Sequence, residues 1–267
     1  MRWRPIAGIM LRQFYLMRTS PARLLPMFAW VAIDIVLWGF ISRYLNTVSS
    51  QGLDFIPHLL GAVLFWDFFT RVMQGVTTAF FEDVWSRNFL NIFATPLSIT
   101  EYVAGLIITS MITSALGLCV MFLLSTTLFG LPLFAPGLWL IPFLLVLFLF
   151  GIALGIAATA LVLRLGPASE WLVWPIPALL SPFAGVFYPL STLPTWMQWV
   201  GKALPPSYVF ESLRGLLAGQ PVSPSQQLLA AGLALLHVLL ASALFTHVYR
   251  YAVRHGLLAR YSAEGIG

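Results

Sequence analysis

From Tyr102 to Leu163 the chain carries no charged side chain over 62 consecutive residues. No soluble fold hides so long an apolar run, whereas a bilayer accepts one helix of about 20 apolar residues per crossing. The run is too long for one crossing, and Gly130-Leu-Pro-Leu-Phe-Ala-Pro-Gly137 supplies turn residues in its middle. It therefore divides into spans near Val103–Leu128 and Leu138–Leu163. Only 9% of the chain is charged, against about 25% in an average soluble domain. In lipid every backbone N–H and C=O must be paired within the protein, so with no alternating strand pattern the fold class is an all-α membrane protein.

The remaining apolar stretches bring the expected count to six. Leu24–Ser42 holds Asp34, and Phe55–Phe81 holds Asp67 and Arg71; Trp171–Leu190 and Gln227–Tyr249 are the fifth and sixth spans. No cleavage-site pattern follows the first span, which is expected to stay in the mature chain. Between the last two, residues 192–219 are apolar but broken by Pro194, Pro205 and Pro206 and charged by Lys202, Glu211 and Arg214. Proline stops or kinks a helix, and each charge at mid-bilayer costs at least about 2.5 kcal/mol. The stretch is expected to form a re-entrant hairpin, roughly Trp196–Leu204 and Ser207–Leu217, with Glu211 and Arg214 paired three residues apart. Lys202, Tyr208, Glu211 and Arg214 are its candidate functional residues.

Charge sets the orientation. The net charge is +5, and 13 of the 14 basic residues are Arg. With six spans and the N-terminus inside, ten fall in cytoplasmic segments and Arg43, Lys202 and Arg214 outside. That is the positive-inside asymmetry of a membrane protein, and it removes the reason to read the charge as nucleic-acid binding. Both termini are expected in the cytoplasm. Residues 1–23 carry five Arg and the apolar residues Trp3, Ile6, Met10, Phe14 and Met17 at helical spacing, which suits an amphipathic helix in the headgroup layer; a solvated basic end that only sets topology uses the same arginines. Cys119 is the only cysteine, so no disulfide can form within the chain.

Two groups of polar residues stand out. Residues 82–95, at the start of the cytoplasmic stretch Glu82–Tyr102, read as a short amphipathic helix: Glu82 and Asp83 at its start, Trp85, Phe89 and Phe93 at helical spacing, Arg87 between them, and Thr95-Pro96 ending it. Ser98-Ile-Thr-Glu101 then has capping-box spacing. The helix serves either as an interfacial linker or as a knob seated in a cytoplasmic partner. Within the spans, Asp67 and Arg71 share a helix face. Asp34 has no local partner and reads either as part of a buried ionic cluster with Arg71 or as a group in a transport path. His58, His237 and His247 have no metal-ligand spacing, so no metal site is expected. The small-residue face Gly151-Ile-Ala-Leu-Gly155 lets helices approach closely and is expected to pack within the subunit.

Taken together, the basic amphipathic N-terminus, six spans, Thr95-Pro96-Leu97-Ser98 with Glu101-Tyr102, and Leu204-Pro205-Pro206-Ser207-Tyr208-Val209 through Glu211 and Arg214 resemble the type-2 permeases of ATP-binding-cassette exporters. The resemblance covers nearly the whole chain. The sequence departs from it in the neutral Val103-Ala104-Gly105-Leu106 after Glu101-Tyr102 and in the short Arg164–Glu170 connection. It implies a bacterial cytoplasmic-membrane protein that pairs with a second copy of itself and binds two copies of a separate ATPase. Glu82, Asp83, Trp85, Arg87, Phe89 and Phe93 would then form the coupling helix. The implied cargo is an amphipathic drug, a polysaccharide or a lipid-linked molecule. ATP and Mg would reside on the ATPase, with no cofactor on this chain. The residues agree that it does not hydrolyse ATP: a P-loop needs G-x-x-x-x-G-K-[ST], and the only lysine lies in Gly201-Lys202-Ala203, with Trp196 where the first glycine belongs. The alternatives are an ion-gradient-driven transporter using Asp34, Asp67 and Arg71, and an intramembrane hydrolase. The latter lacks any glycine followed two residues later by serine.

Overall fold

The computed structural model describes residues 2–19, 21–49, 54–86, 92, 95–131 and 137–257. Among them every regular element is helical. In chain order these are α1 (Trp3–Thr19), α2 (Pro21–Val48), a wide π turn (Ile56–Leu60) opening α3 (Gly61–Trp85), α4 (Ile99–Phe129) and α5 (Leu140–Leu165). A 3₁₀ segment (Pro167–Leu172), α6 (Ile176–Ala184), α7 (Thr195–Ala203), α8 (Pro205–Leu217) and α9 (Pro224–Arg254) follow. Five helical stretches are long and apolar enough to cross a membrane: 28–48, 56–85, 99–129, 137–165 and 224–254.

α3 is the axle of the bundle, and two thirds of its most apolar window is buried. Phe65, Phe69, Val72, Met73, Phe80 and Phe81 fill the core with Phe143, Phe150 and Ile156 of α5. The Gly151/Gly155 face does pack within the chain. A Cβ on Gly151 would sit 2.9 Å from the Val72 Cβ, and one on Gly155 2.8 Å from the Val76 Cβ. Buried Ala230, Ala234, Ala241 and Ala252 let α9 lie closely on α5. By contrast α4 turns Ile112, Leu116, Leu123 and the free Cys119 outward along one stripe.

Four sequence-derived boundaries move. α2 runs on to Val48, so Arg43 lies within the helix rather than in a loop, with its guanidinium 5.9 Å from the centre of the Phe129 ring. α3 continues through Glu82 and Asp83, because their neighbours Phe80, Phe81 and Val84 are still packed in the core. The apolar stripe expected on α1 divides: Ile6 turns inward with Ile9 and Gln13, while Trp3 and Phe14 face outward. The stretch Trp171–Leu190, expected as one continuous span, is instead a 3₁₀ turn, a bend and the nine-residue α6. Pro175 and Pro177 prevent a continuous ladder there, and Gly185 ends α6 at φ +61°. The Tyr188 hydroxyl donates to the Pro182 carbonyl at 2.9 Å, which satisfies one of the acceptors left open at that end.

Contacts fix the path of this broken segment. It begins beside the last turn of α3, where the Trp85 Nε1–H donates to Glu170 at 2.7 Å. It finishes at the other end of α3, where Val186 and Phe187 share a cavity wall with Phe55 and His58. α5 and α9 run in parallel, with Arg164 at the end of one stacked 4.0 Å over Tyr251 at the end of the other. The connection between them must therefore return along the whole bundle, and residues 166–186 make that return.

Candidate functional site

The chain gathers its polar residues at three levels. The first is the end of the bundle where α3 stops and α4 starts. α4 opens with the capping box read from the sequence: the Glu101 N–H donates to Ser98 Oγ at 3.2 Å, and the Ser98 N–H donates to Glu101 Oε2 at 3.1 Å. Arg2 then closes on the same carboxylate, with Nε to Oε1 and Nη2 to Oε2 both at 3.1 Å and its own backbone N–H to Oε1 at 2.9 Å. A second tie lies about three α1 helical turns further along. Asp83, fully buried, pairs with Arg12 and accepts the Tyr102 hydroxyl at 2.6 Å. An acid in the last turn of a helix opposes the helix dipole, and these two partners offset that. Gln13 donates to the Ala79 carbonyl at 3.4 Å, and Ile9 occupies the notch left by Gly105, where a Cβ would lie 2.9 Å away. α1, the end of α3 and the start of α4 are thus one knot.

Of the six residues expected in the coupling helix, Glu82, Asp83 and Trp85 instead close α3; Arg87, Phe89 and Phe93 lie outside the described residues. Asp83 faces inward. Trp85 is 53% exposed, with its ring edge tied to Glu170. Exposed Trp171 and half-exposed Trp174 continue this aromatic surface. The partners of Asp83 escaped sequence reading because Arg12 and Tyr102 are remote along the chain. Their signal, an acid placed just after an apolar run, was assigned to the start of another helix.

The second level is mid-bundle. Asp34 of α2 interacts electrostatically with Asp67 and Arg71 of α3. Arg71 lies against Gly117 of α4, where a Cβ would come within 3.3 Å of its Cδ. The three candidate charges are therefore brought together at a junction of three helices.

The third level is the far end, where the sequence expectation of two short helices is met by α7 and α8. Glu211 and Arg214 pair at 2.9 Å. Glu211 also accepts the Leu190 N–H at 2.7 Å, and Arg214 donates to the Gly185 carbonyl at 2.7 Å. The pair thereby fastens α8 to the turn after α6. Tyr208 donates to the Lys202 carbonyl at 2.8 Å and closes the α7–α8 corner. Burial raises the Tyr208 phenol above its ordinary value, which keeps it a donor. The Lys202 ammonium lies 4.9 Å from the Trp199 ring. Gly201 lets the pair close: a Cβ there would meet the Phe183 carbonyl at 2.7 Å. No cluster of three or more metal-ligating side chains occurs among the described residues.

A family model described as ABC-2 type transporter matches residues 8–218. No curated protein matches the chain. The matched region runs from within α1 through the far-end pair of helices and includes all three levels except Arg2. The chain belongs to the ABC-2 type transporter family and is a multi-pass membrane permease.

Proposed function

We propose that this ABC-2 family chain is the membrane half of an ATP-driven exporter, working as a pair of identical chains on two copies of a separate ATPase. The end carrying α1 faces the cytoplasm, and the α7–α8 hairpin dips into the outer leaflet. The observation that carries this reading is the knot of α1, α3 and α4, seen together with the family match. Residues 86–98 join the end of α3 to the start of α4, and both attachment points are clamped to α1. A force applied to that segment is delivered to three helices at once. ATP bound with Mg on the partner would supply the force; this chain's residues would receive it and move the helices. The substrate is an amphipathic drug, a polysaccharide or a lipid-linked molecule.

The broken segment 166–186 is the sixth crossing in this reading. Six 3₁₀ residues rise about 12 Å and nine α-helical residues about 13 Å. With the bend between them they reach about 30 Å, the thickness of the hydrocarbon core. An even number of crossings returns both basic ends to the cytoplasm, in keeping with the positive-inside rule.

The test is retention of the ATPase. The chain is co-expressed with a cytoplasmic ATPase encoded beside it, and the complex is purified on a tag carried by the permease. Trp85→Ala with Phe89→Ala should lose the ATPase, because aromatic anchors at interface centres contribute about 2 kcal/mol or more each. The permease itself should remain folded. Unchanged retention and transport would reduce the segment to an interfacial linker.

A further inference from the structure

A cavity of about 170 Å³ lies at the hairpin end, walled by Phe55, His58 and Ala62 on one side and Phe187, Phe210 and Arg214 on the other. Its two walls come from different elements. One is the π turn with the first turn of α3; such turns recur at functional sites because the widened ring displaces backbone from regular packing. The other is α8, fastened through Glu211 and Arg214 to the turn after α6. The mid-bundle charges and the knot at the other end take no part in it.

The polar groups in this lining are few and fixed. Arg214 spends Nη1 on the Gly185 and Val186 carbonyls and one Nη2 hydrogen on Glu211, while its Nε is buried out of reach of the cavity. A guanidinium has five N–H donors, so one Nη2 hydrogen is left for an acceptor on a bound molecule. His58 Nδ1 lies 2.7 Å from the Asp54 carbonyl. A carbonyl only accepts, so Nδ1 carries the hydrogen and Nε2 of the neutral ring is left as an acceptor. The Arg214 charge is already matched by Glu211. The lining therefore has no unmatched charge, one open donor, one open acceptor and otherwise apolar walls. A dry cavity of about 150 Å³ takes a benzene ring, so one ring or a short alkyl segment fits here.

We propose that this cavity is a binding site for the uncharged end of an amphipathic molecule: a ring or short alkyl group carrying one hydroxyl or carbonyl, accepted by Arg214 and His58. That chemistry belongs both to the ester region of a bilayer lipid and to an amphipathic cargo. The site does not require the ATPase, so it stands or falls separately from the exporter reading.

The full-length protein in phosphatidylcholine nanodiscs is irradiated with a benzyl alcohol that carries a trifluoromethyl-diazirine. Labelled residues are mapped by mass spectrometry. Label is expected on Phe187, Phe210 and Leu213, displaced saturably by unlabelled benzyl alcohol, while label on exposed Trp171 at the opposite end is not displaced. Ala62→Leu fills the cavity and should abolish the hairpin-end label. Arg214→Lys keeps the charge opposite Glu211 but removes the guanidinium and its spare Nη2 hydrogen. It should weaken the alcohol about tenfold, the equivalent of one hydrogen bond to a charged donor, and leave the matching diazirine without the hydroxyl unaffected. Should Ala62→Leu not fold, saturable displacement in the parent protein decides alone. Label at 186–187 and 210–217 that cannot be displaced, or that persists unchanged in a folded Ala62→Leu protein, overturns the proposal as simple labelling from lipid. Displacement by short-chain phosphatidylcholine assigns the site to bilayer lipid. Displacement by benzyl alcohol alone assigns it to a non-lipid amphipath.

Discussion

The two ties that hold α1 differ in burial, and burial decides which one counts. Arg2 meets Glu101 with 60% of its own side chain exposed and 4% of the carboxylate's, and Glu101 keeps the Ser98 N–H when Arg2 is absent. A carboxylate at a helix N-terminus with a backbone N–H still has a partner and a favourable dipole. Arg12 meets an Asp83 that is 0% exposed, and removing one partner of a buried pair leaves the other charge stranded. Arg12→Ala should therefore destabilise the protein by about 3 kcal/mol and expose α1 to trypsin, whereas Arg2→Ala should lower the melting temperature by less. Equal effects from the two substitutions would sink this ranking. Glycine acts by close approach at Gly155, where a new Cβ would lie 2.8 Å from the Val76 Cβ and 3.0 Å from the Met73 carbonyl oxygen. The second neighbour is backbone and cannot swing aside. Gly155→Ala should cost about 1–3 kcal/mol by overpacking, readable as a lowered melting temperature in detergent. The residue pairs visible in the sequence were local ones. Ser98 with Glu101 and Glu211 with Arg214 are each three apart, so helical spacing alone places them together. Asp83 with Arg12 depends on the packing of two helices, which spacing does not report.

At the scale of elements, hydropathy found the long helices because lipid dictates both their length and their composition. It failed where apolar composition and helical continuity part company. Residues 171–190 carry no charged side chain, yet Pro175 and Pro177 lack the donors that a continuous helix needs. The same blindness put the end of α3 at Phe81. Hydropathy falls at Glu82 and Asp83, but the helix continues because its other face is still covered. The two short helices after α6 were legible because Pro194, Pro205 and Pro206 mark their boundaries directly. A broken element can still cross, and cysteine labelling tests whether this one does. In a Cys119→Ser background, single cysteines at Ser49, Ser191 and Ser223 should react with an impermeant thiol reagent added outside intact cells. One at Ser86 should not. Reaction at Ser223 only from the cytoplasm would mean that the hairpin, rather than segment 166–186, completes the passage.

At the scale of the whole molecule, the buried axle α3 contrasts with the helices around it. α2 and α9 each bury only 22% of their most apolar window, and α4 buries 33%. In the proposed pair, their open faces are where lipid and a second copy would compete for contact. The stripe Ile112, Leu116, Cys119 and Leu123 on α4 is one such face. Its thiol is the only one in the chain, which makes it a ready-made spectroscopic ruler. A nitroxide attached there needs no engineered background and reports from a single position per chain. Two chains in one nanodisc should give one dipolar distance, and chains diluted to one per disc should give none. A disc population shown to hold two chains but lacking any such distance would contradict the pairing. With the ATPase bound, the change in that distance on adding nucleotide would record the helix movement itself, independently of any cargo.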